Sequence, residues 1–370
     1  MIYLDYAANT PVDKRVLKNY NDITLKYFGN PNSTHSAGAN AKKEIDKATK
    51  KIANYFKTSK ESIIYTSGAS EANNLVIKGI AEYYQKNGKH IIISCIEHSS
   101  IIAPCNYLTS KGFEITIIPI DNNGKINLEK LKNALRKDTI LVSICSVDSE
   151  LGTIEPIKEV ANLLKNYPNT FFHTDATQAI GKINLDFEGL DFLTFAPHKF
   201  YGLNGMGVLI NFHNTKITPL IHGGKSTTVY RSGTPIVANI TATEKALSLI
   251  TKNLDKKINY ISSLKEYLTI ELKKIPTIHI NSPKESIPNT LNISIKNSKK
   301  IINKLNKKEI YVSKQTACSL EKNPSKSVLA LTGNQKLAQN TIRISLSHLT
   351  TKKELKTFIK VLKEEIYENN

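Results

Sequence analysis

The sequence predicts an α/β protein, with a large domain on a mostly parallel seven-stranded sheet and a smaller α+β domain. Three observations point there. From about residue 60 to 250, short apolar β-branched runs alternate with amphipathic segments, the pattern of parallel strands covered by helices on both faces. The strand-like runs are continuously apolar, as strands buried on both faces are. Beyond about residue 255 the pattern changes to long helical periodicities with only two short strand-like runs.

The strands are expected at 63–66, 90–94, 114–118, 140–145, 170–174, 192–195 and 207–210. Helices are expected between them at 70–85, 101–110, 128–136 and 157–166. One long helix or two joined ones cover 240–275, short strands follow at 290–294 and 341–345, and an amphipathic helix closes the chain at 352–366. The division expected is 15–255 for the large domain, with 1–14 and 256–370 forming the small one.

Composition narrows the class. Apolar residues make up 40% and charged residues 22% of the 370, ordinary for a soluble enzyme. No run reaches the roughly 20 apolar residues of a membrane helix, and the opening Met1-Ile2-Tyr3-Leu4-Asp5-Tyr6 lacks the features of a signal peptide. A cytoplasmic protein that does not engage a membrane is expected. The net charge is +19, but lysine is spread along the whole chain without an arginine-rich tract. This reads as solvated lysine faces, and no direct nucleic-acid partner is expected. The four cysteines, Cys95, Cys105, Cys145 and Cys318, make no CxxC pair or zinc spacing, so neither a disulfide framework nor a metal site is expected. Cys95 and Cys145 read as buried small hydrophobes, whereas Cys318 has polar neighbours.

Three local patterns carry chemistry, each with a plain alternative. In Tyr65-Thr66-Ser67-Gly68-Ala69-Ser70-Glu71-Ala72, a strand passes through a glycine turn into a helix. Gly68 permits close backbone approach and Ser70 caps the helix, whose free N–H groups suit a phosphate; an ordinary N-cap is the alternative. In His173-Thr174-Asp175-Ala176-Thr177-Gln178, a carboxylate at a strand end can keep a pyridine nitrogen protonated, as an electron-sink cofactor requires. Asp175 as a helix cap is the alternative. In Phe195-Ala196-Pro197-His198-Lys199-Phe200-Tyr201-Gly202, a lysine stands between histidine and aromatics at a strand end. Lysine forms Schiff bases when partly desolvated; a surface lysine is the alternative.

With these motifs in this order, the chain resembles the class V, fold-type-I pyridoxal-phosphate enzymes, and the NifS/IscS-type cysteine desulfurases in particular. The resemblance runs from Tyr3-Leu4-Asp5-Tyr6-Ala7-Ala8-Asn9-Thr10-Pro11 through Phe28-Gly29-Asn30-Pro31-Asn32-Ser33-Thr34-His35 to Ile342-Arg343-Ile344-Ser345-Leu346. It implies a fold-type-I transferase that holds pyridoxal 5′-phosphate on Lys199, with Asp175 at the ring nitrogen and Gln178 at the phenolic oxygen. Ala69 and Ser70, with His198, would contact the cofactor, and His98 would stack on the ring and shuttle protons. Thr234, in Arg231-Ser232-Gly233-Thr234, would reach the phosphate of a neighbouring subunit, which implies a homodimer. Arg343 would grip the carboxylate of L-cysteine with Asn30 helping; a structural ion pair is its alternative role. Cys318 would take sulfur as a persulfide, leaving alanine, and pass it to an acceptor protein such as an iron–sulfur scaffold or a tRNA-thiolation enzyme.

The chain departs from the family pattern in four places. Ala196-Pro197 stand where a hydroxyl residue usually precedes His-Lys, Ser149 stands for an asparagine near the ring, Lys314-Gln315-Thr316 precede Ala317-Cys318, and Lys225-Ser226-Thr227-Thr228 replace a glycine-rich stretch. Each lost hydrogen bond weakens cofactor binding by about 1 kcal/mol. Other readings are a selenocysteine lyase, a C–S lyase, an aminotransferase, or a non-catalytic scaffold paralogue; Cys318 separates sulfur or selenium abstraction from the rest.

Overall fold

Seven runs rich in Ile, Val, Leu and Phe pair into one sheet in the computed structural model of the chain, which describes residues 1–314 and 323–367. They are β1 (Ile63–Thr66), β2 (His90–Ser94), β3 (Glu114–Ile118), β4 (Thr139–Ser143), β5 (Phe171–Asp175), β6 (Phe192–Phe195) and β7 (Gly207–Asn211). The spatial order is β1-β7-β6-β5-β4-β2-β3. Neighbours from β3 through β6 run parallel, and β7 is antiparallel to both β6 and β1. Two reversals leave β1 pointing the same way as the parallel set. The carboxyl ends of β1, β2, β4, β5 and β6 therefore meet at one edge, where open α/β sheets bind ligands.

Helices cover both faces, so the strands between them are buried along almost their whole length. One core cluster includes Ile52, Phe56, Phe172 and Phe195 with Ile240 and Ala246. The other joins Leu75, Ile80, Ile91, Ile101 and Leu209 on the opposite face. The edge strand β3 is the exception, with Ile117 exposed. The expected 240–275 helix is two, Val237–Thr251 and Leu254–Lys273. The break falls at Asn253, whose φ of 56° lies in the left-handed region, which a continuing helix cannot include.

A separate apolar cluster gathers Ile261, Leu264 and Leu268 with Ile293, Ile344, Phe358 and Leu362, and it recruits Leu4 from the N-terminus. Its sheet pairs β8 (Thr290–Ser294) antiparallel with β9 (Thr341–Ser345), with His279–Ile280 at the edge. The closing helix, Lys352–Tyr367, lays Leu355, Phe358, Ile359 and Leu362 against this core at helical spacing. Among the described residues, no helix is long and apolar enough to cross a membrane.

One close approach governs the functional edge. β7 starts with Gly207 paired to Thr66, and a Cβ on Gly207 would lie 2.2 Å from the carbonyl carbon of Gly68. The glycine that close approach requires is thus Gly207; the space a side chain on Gly68 would take is open. Gly207→Ala must push back the backbone at Gly68 and Ala69. We expect it to lower the unfolding free energy by about 1–3 kcal/mol in urea denaturation.

Candidate active site

The strand ends surround a cavity of about 350 Å³, within the range of small-molecule sites. Ala69, Ser70, His98, Ser149, Asp175, Gln178, His198, Lys199 and Arg343 all line it.

At one end stands the helix Ala69–Tyr84, capped by Gly68 rather than by Ser70, which lies inside the first turn. Its ladder begins with the Ala72 N–H donating to the Gly68 carbonyl, so the N–H groups of Ala69, Ser70 and Glu71 precede the ladder and form an anion cradle. Glu71 would repel an anion, but it is already engaged. The Ser67 N–H donates to its Oε2 at 2.7 Å and Arg231 Nε to its Oε1 at 2.9 Å. This ion pair ties the Arg231-Ser232-Gly233-Thr234 segment to the cradle. Thr234 lines an adjacent cavity that shares Ser67, not the main one.

Asp175, which also lines the cavity, closes β5. Its Oδ1 accepts from the Thr177 N–H at 2.9 Å, the short turn that a capping reading foresees. Its Oδ2 accepts from Asn73 Nδ2 at 2.8 Å, and the same nitrogen lies 2.8 Å from Ser100 Oγ. Ser100 Oγ in turn lies 2.8 Å from His98 Nδ1. Asn73 and Ser100 were missed by sequence reasoning. Only the fully buried setting of Asn73 on a helix face otherwise made of Ala72, Val76 and Ile80 marks it out. His98 is the N-cap of the helix Ser99–Thr109, and burial is the main cause that depresses its pKa.

Lys199 ends a single 3-10 turn after β6, with Pro197 at its first position. Proline suits that position because its missing N–H is not needed there, and Gly202 packs against it, where a Cβ would meet Pro197 Cβ at 2.5 Å. The Ala196-Pro197 departure is thus built into the turn. Tyr201 then takes a φ of 68°, a strained value for a non-glycine residue. Thr10 Oγ1 accepts from its N–H at 2.6 Å. Lys199 Nζ donates to the carbonyls of Ala7 and Ala8 at 3.0 and 2.6 Å, and Gln178 Nε2 donates to the same Ala7 carbonyl at 2.9 Å. The N-terminal segment is therefore a wall of the site. His198 is held neutral, its pKa lowered to about 4 by burial and then by Lys199 and Lys182.

Arg343 sits on β9 and is fully buried. Nη2 makes the structural ion pair, with Asp5 at 3.0 Å, and Nη1 donates to the Ser149 carbonyl at 2.9 Å, while the side chain also lines the cavity. Asn30 is exposed and does not line it; its Oδ1 accepts from the Asn32 N–H within its own turn. Cys318 lies outside the described residues. The chain on either side of 315–322 is attached at or next to cavity residues: Ser313 exchanges backbone hydrogen bonds with Arg343, and Ser325 and Ser327 donate to Glu150 and Asp148, which flank Ser149. Cys145 is buried in the cavity wall and Cys105 is buried in its helix, but Cys95, just past the end of β2, is half-buried rather than buried.

Two buried polar atoms without a protein partner face the same task. Thr177 Oγ1 and Arg343 Nε are both orphaned, at a cost unless a ligand completes them, and both residues line the cavity. Together with the anion cradle, the open space at Gly68 and the Asp175 carboxylate, this donor set fits a phosphorylated pyridine with a carboxylate-bearing substrate.

Comparison with known proteins agrees in extent. The class-V aminotransferase family model matches residues 2–358. The chain is 40% identical over 368 residues to a protein of Dictyoglomus turgidum named cysteine desulfurase IscS, covering 98% of this chain and 93% of that one. A Methanosarcina thermophila protein of the same name is 36% identical, with 98% and 91% covered. A solved structure described as a NifS-like protein superposes with a TM-score of 0.93 at 34% identity, over 99% of each chain.

Lys182 offers a test of burial at this site. It is buried, donates to Gln178 Oε1 at 2.5 Å, and has its pKa lowered to about 7 by burial, then by Lys199 and Arg343. Unfolded, it binds its proton up to about pH 10.4; folded, only below about 7. Its contribution therefore makes the protein gain stability as pH rises from about 7 toward 10, and the penalty is complete below 7. Lys182→Met should flatten this slope of unfolding free energy against pH in urea titrations.

Proposed function

The chain belongs to the class-V aminotransferase family, and from that premise we propose that it is a pyridoxal-phosphate-dependent cysteine desulfurase. The observation that carries the reading is the convergence of Lys199, Asp175, an anion-binding helix N-terminus and Arg343 on one cavity. The relatives named cysteine desulfurase support the choice of substrate.

Bound pyridoxal phosphate supplies an electron sink for charge that develops at the substrate Cα. In this reading Ala69 and Ser70 hold its phosphate, Asp175 faces its ring nitrogen, Gln178 its phenolic oxygen, Lys199 carries it covalently, and Ser149, His98 and His198 border it. Arg343, pre-oriented by Asp5 and the Ser149 carbonyl, binds the carboxylate of L-cysteine. Released from the cofactor, the Lys199 amine takes the Cα proton; the Ala7 and Ala8 carbonyls keep that amine beside the cavity. The Cys318 thiolate attacks the substrate sulfur, the carbon–sulfur bond breaks, and the carbon skeleton leaves as alanine after proton uptake. The sulfur stays on Cys318 as a persulfide, for delivery to an acceptor such as an iron–sulfur scaffold or a tRNA-thiolation enzyme. We assign the two apolar cores to two domains, 15–255 and 1–14 with 256–370.

A homodimer belongs to this reading. Leu25 and Phe28 are exposed beside Asn30, and Val229 and Ile236 are exposed on either side of Arg231-Ser232-Gly233-Thr234. Exposed apolar groups on those segments suit an interface that would bring Asn30 and Thr234 to a partner's site. The reading keeps the cytoplasmic location expected of the sequence.

Mass spectrometry after cysteine addition tests the function. The expected result is a gain of one sulfur on Cys318, absent with alanine and absent in Cys318→Ala; a Cys318→Ala protein releasing sulfide at the full rate would overturn it. Lys199→Ala should lose the visible absorbance that borohydride bleaches in the parent protein.

A further inference from the structure

The direction of each bond in the chain from Asp175 to His98 follows from chemistry. A carboxylate only accepts, so Asn73 must turn its amide nitrogen to Asp175 Oδ2, at 2.8 Å. The flipped amide would set two oxygens face to face. That nitrogen also reaches Ser100 Oγ at 2.8 Å, so the hydroxyl accepts from Asn73. Its own proton is left for His98 Nδ1, 2.8 Å away. The same Nδ1 accepts from the Ser100 backbone N–H at 3.1 Å, which is the N-cap of the helix Ser99–Thr109. With two donors aimed at it, Nδ1 carries a lone pair, and the ring proton resides on Nε2.

We propose that His98 is a fixed neutral imidazole protonated on Nε2, and that Asn73 and Ser100 are the positioning residues that hold it so. Proton uptake on Nδ1 would meet the Ser100 N–H head-on, break the helix cap and force the hydroxyl to turn away. Burial opposes the charged ring as well, as do Lys199 and Lys326, while Asp175 alone among the charged groups facing it favours protonation. His98 therefore presents a constant N–H donor and a stacking ring, and does not shuttle protons as the resemblance led us to expect. Proton traffic falls to Lys199. Asn73 also makes one hydrogen-bonded unit of the Asp175 carboxylate and, through Ser100, the His98 imidazole. The inference concerns the site proposed above but holds whichever substrate enters it.

Histidine side-chain 15N spectra of the purified protein with its cofactor decide the matter, His98→Gln identifying the signal among the nine histidines. The expected result is a neutral, Nε2-protonated ring at neutral pH whose midpoint lies below the value near 6.5 of an ordinary histidine. A midpoint near 6.5, or a neutral form protonated on Nδ1, overturns the proposal. In Ser100→Ala the backbone cap remains but one donor is lost, and the midpoint should rise by about half a unit to one unit. Ser100→Thr, which keeps the hydroxyl, should restore the parent spectrum. Asn73→Leu should act like Ser100→Ala; an unchanged His98 signal in a folded Ser100→Ala protein would overturn the assignment of Ser100 and Asn73. Because turnover of cysteine is not read, failure of the desulfurase reading leaves this test intact.

Discussion

Asp175 and Thr194 stand opposite one another across the parallel strands β5 and β6, and that register decides where the chain after β6 can go. Parallel hydrogen bonding forces both strands to end at the same edge. The turn Pro197–Lys199 thus emerges beside the carboxylate although a helix-free loop separates the strands. Shifting the register by one residue would turn Asp175 to the other face of the sheet and leave Lys199 without its acid. The helix start at Ala69, His98 and Ser149 follow the ends of β1, β2 and β4 along this edge.

What encloses the edge is polar chain drawn from far away in sequence. The first residues cross it, offering the Ala7 and Ala8 carbonyls to Lys199 and Gln178 and the Asp5 carboxylate to Arg343. Leu4, in the same segment, is buried in the core formed by residues after 260. A single short stretch therefore anchors in one core and walls the cavity of the other. Buried polar groups are tolerable only when satisfied, which explains why Glu71, Asp175 and Arg343 each have specific donors or acceptors. Among the buried polar atoms left without a protein partner, Thr177 Oγ1 and Arg343 Nε belong to residues that line the cavity, where a ligand would meet them.

The apolar runs made the strands legible: β1, β2, β3 and β6 begin and end where the sequence predicts, and β4, β5 and β7 differ by one or two residues. Strand ends are set by the partner's hydrogen bonds, which no single run contains. The helix cap was misread for a similar reason. Ser70 has the right side chain for a cap, but the cap is Gly68, two residues earlier, where Gly207 at the start of β7 lies close against the backbone.

The sequence alone determined the residue types at the cavity, because lysine and aspartate at the ends of apolar strands, and an arginine within one, are costly without a purpose. It also determined their order along the chain, and with that the family. Only the tertiary structure decided which of them meet, how Arg343 serves both an ion pair and a cavity, and that Asn73 and Ser100 join Asp175 to His98. Apart from the local bond between Ser100 and His98, those are contacts between residues 27 to 338 positions apart, and such pairings are created by sheet register and packing, which local pattern does not encode.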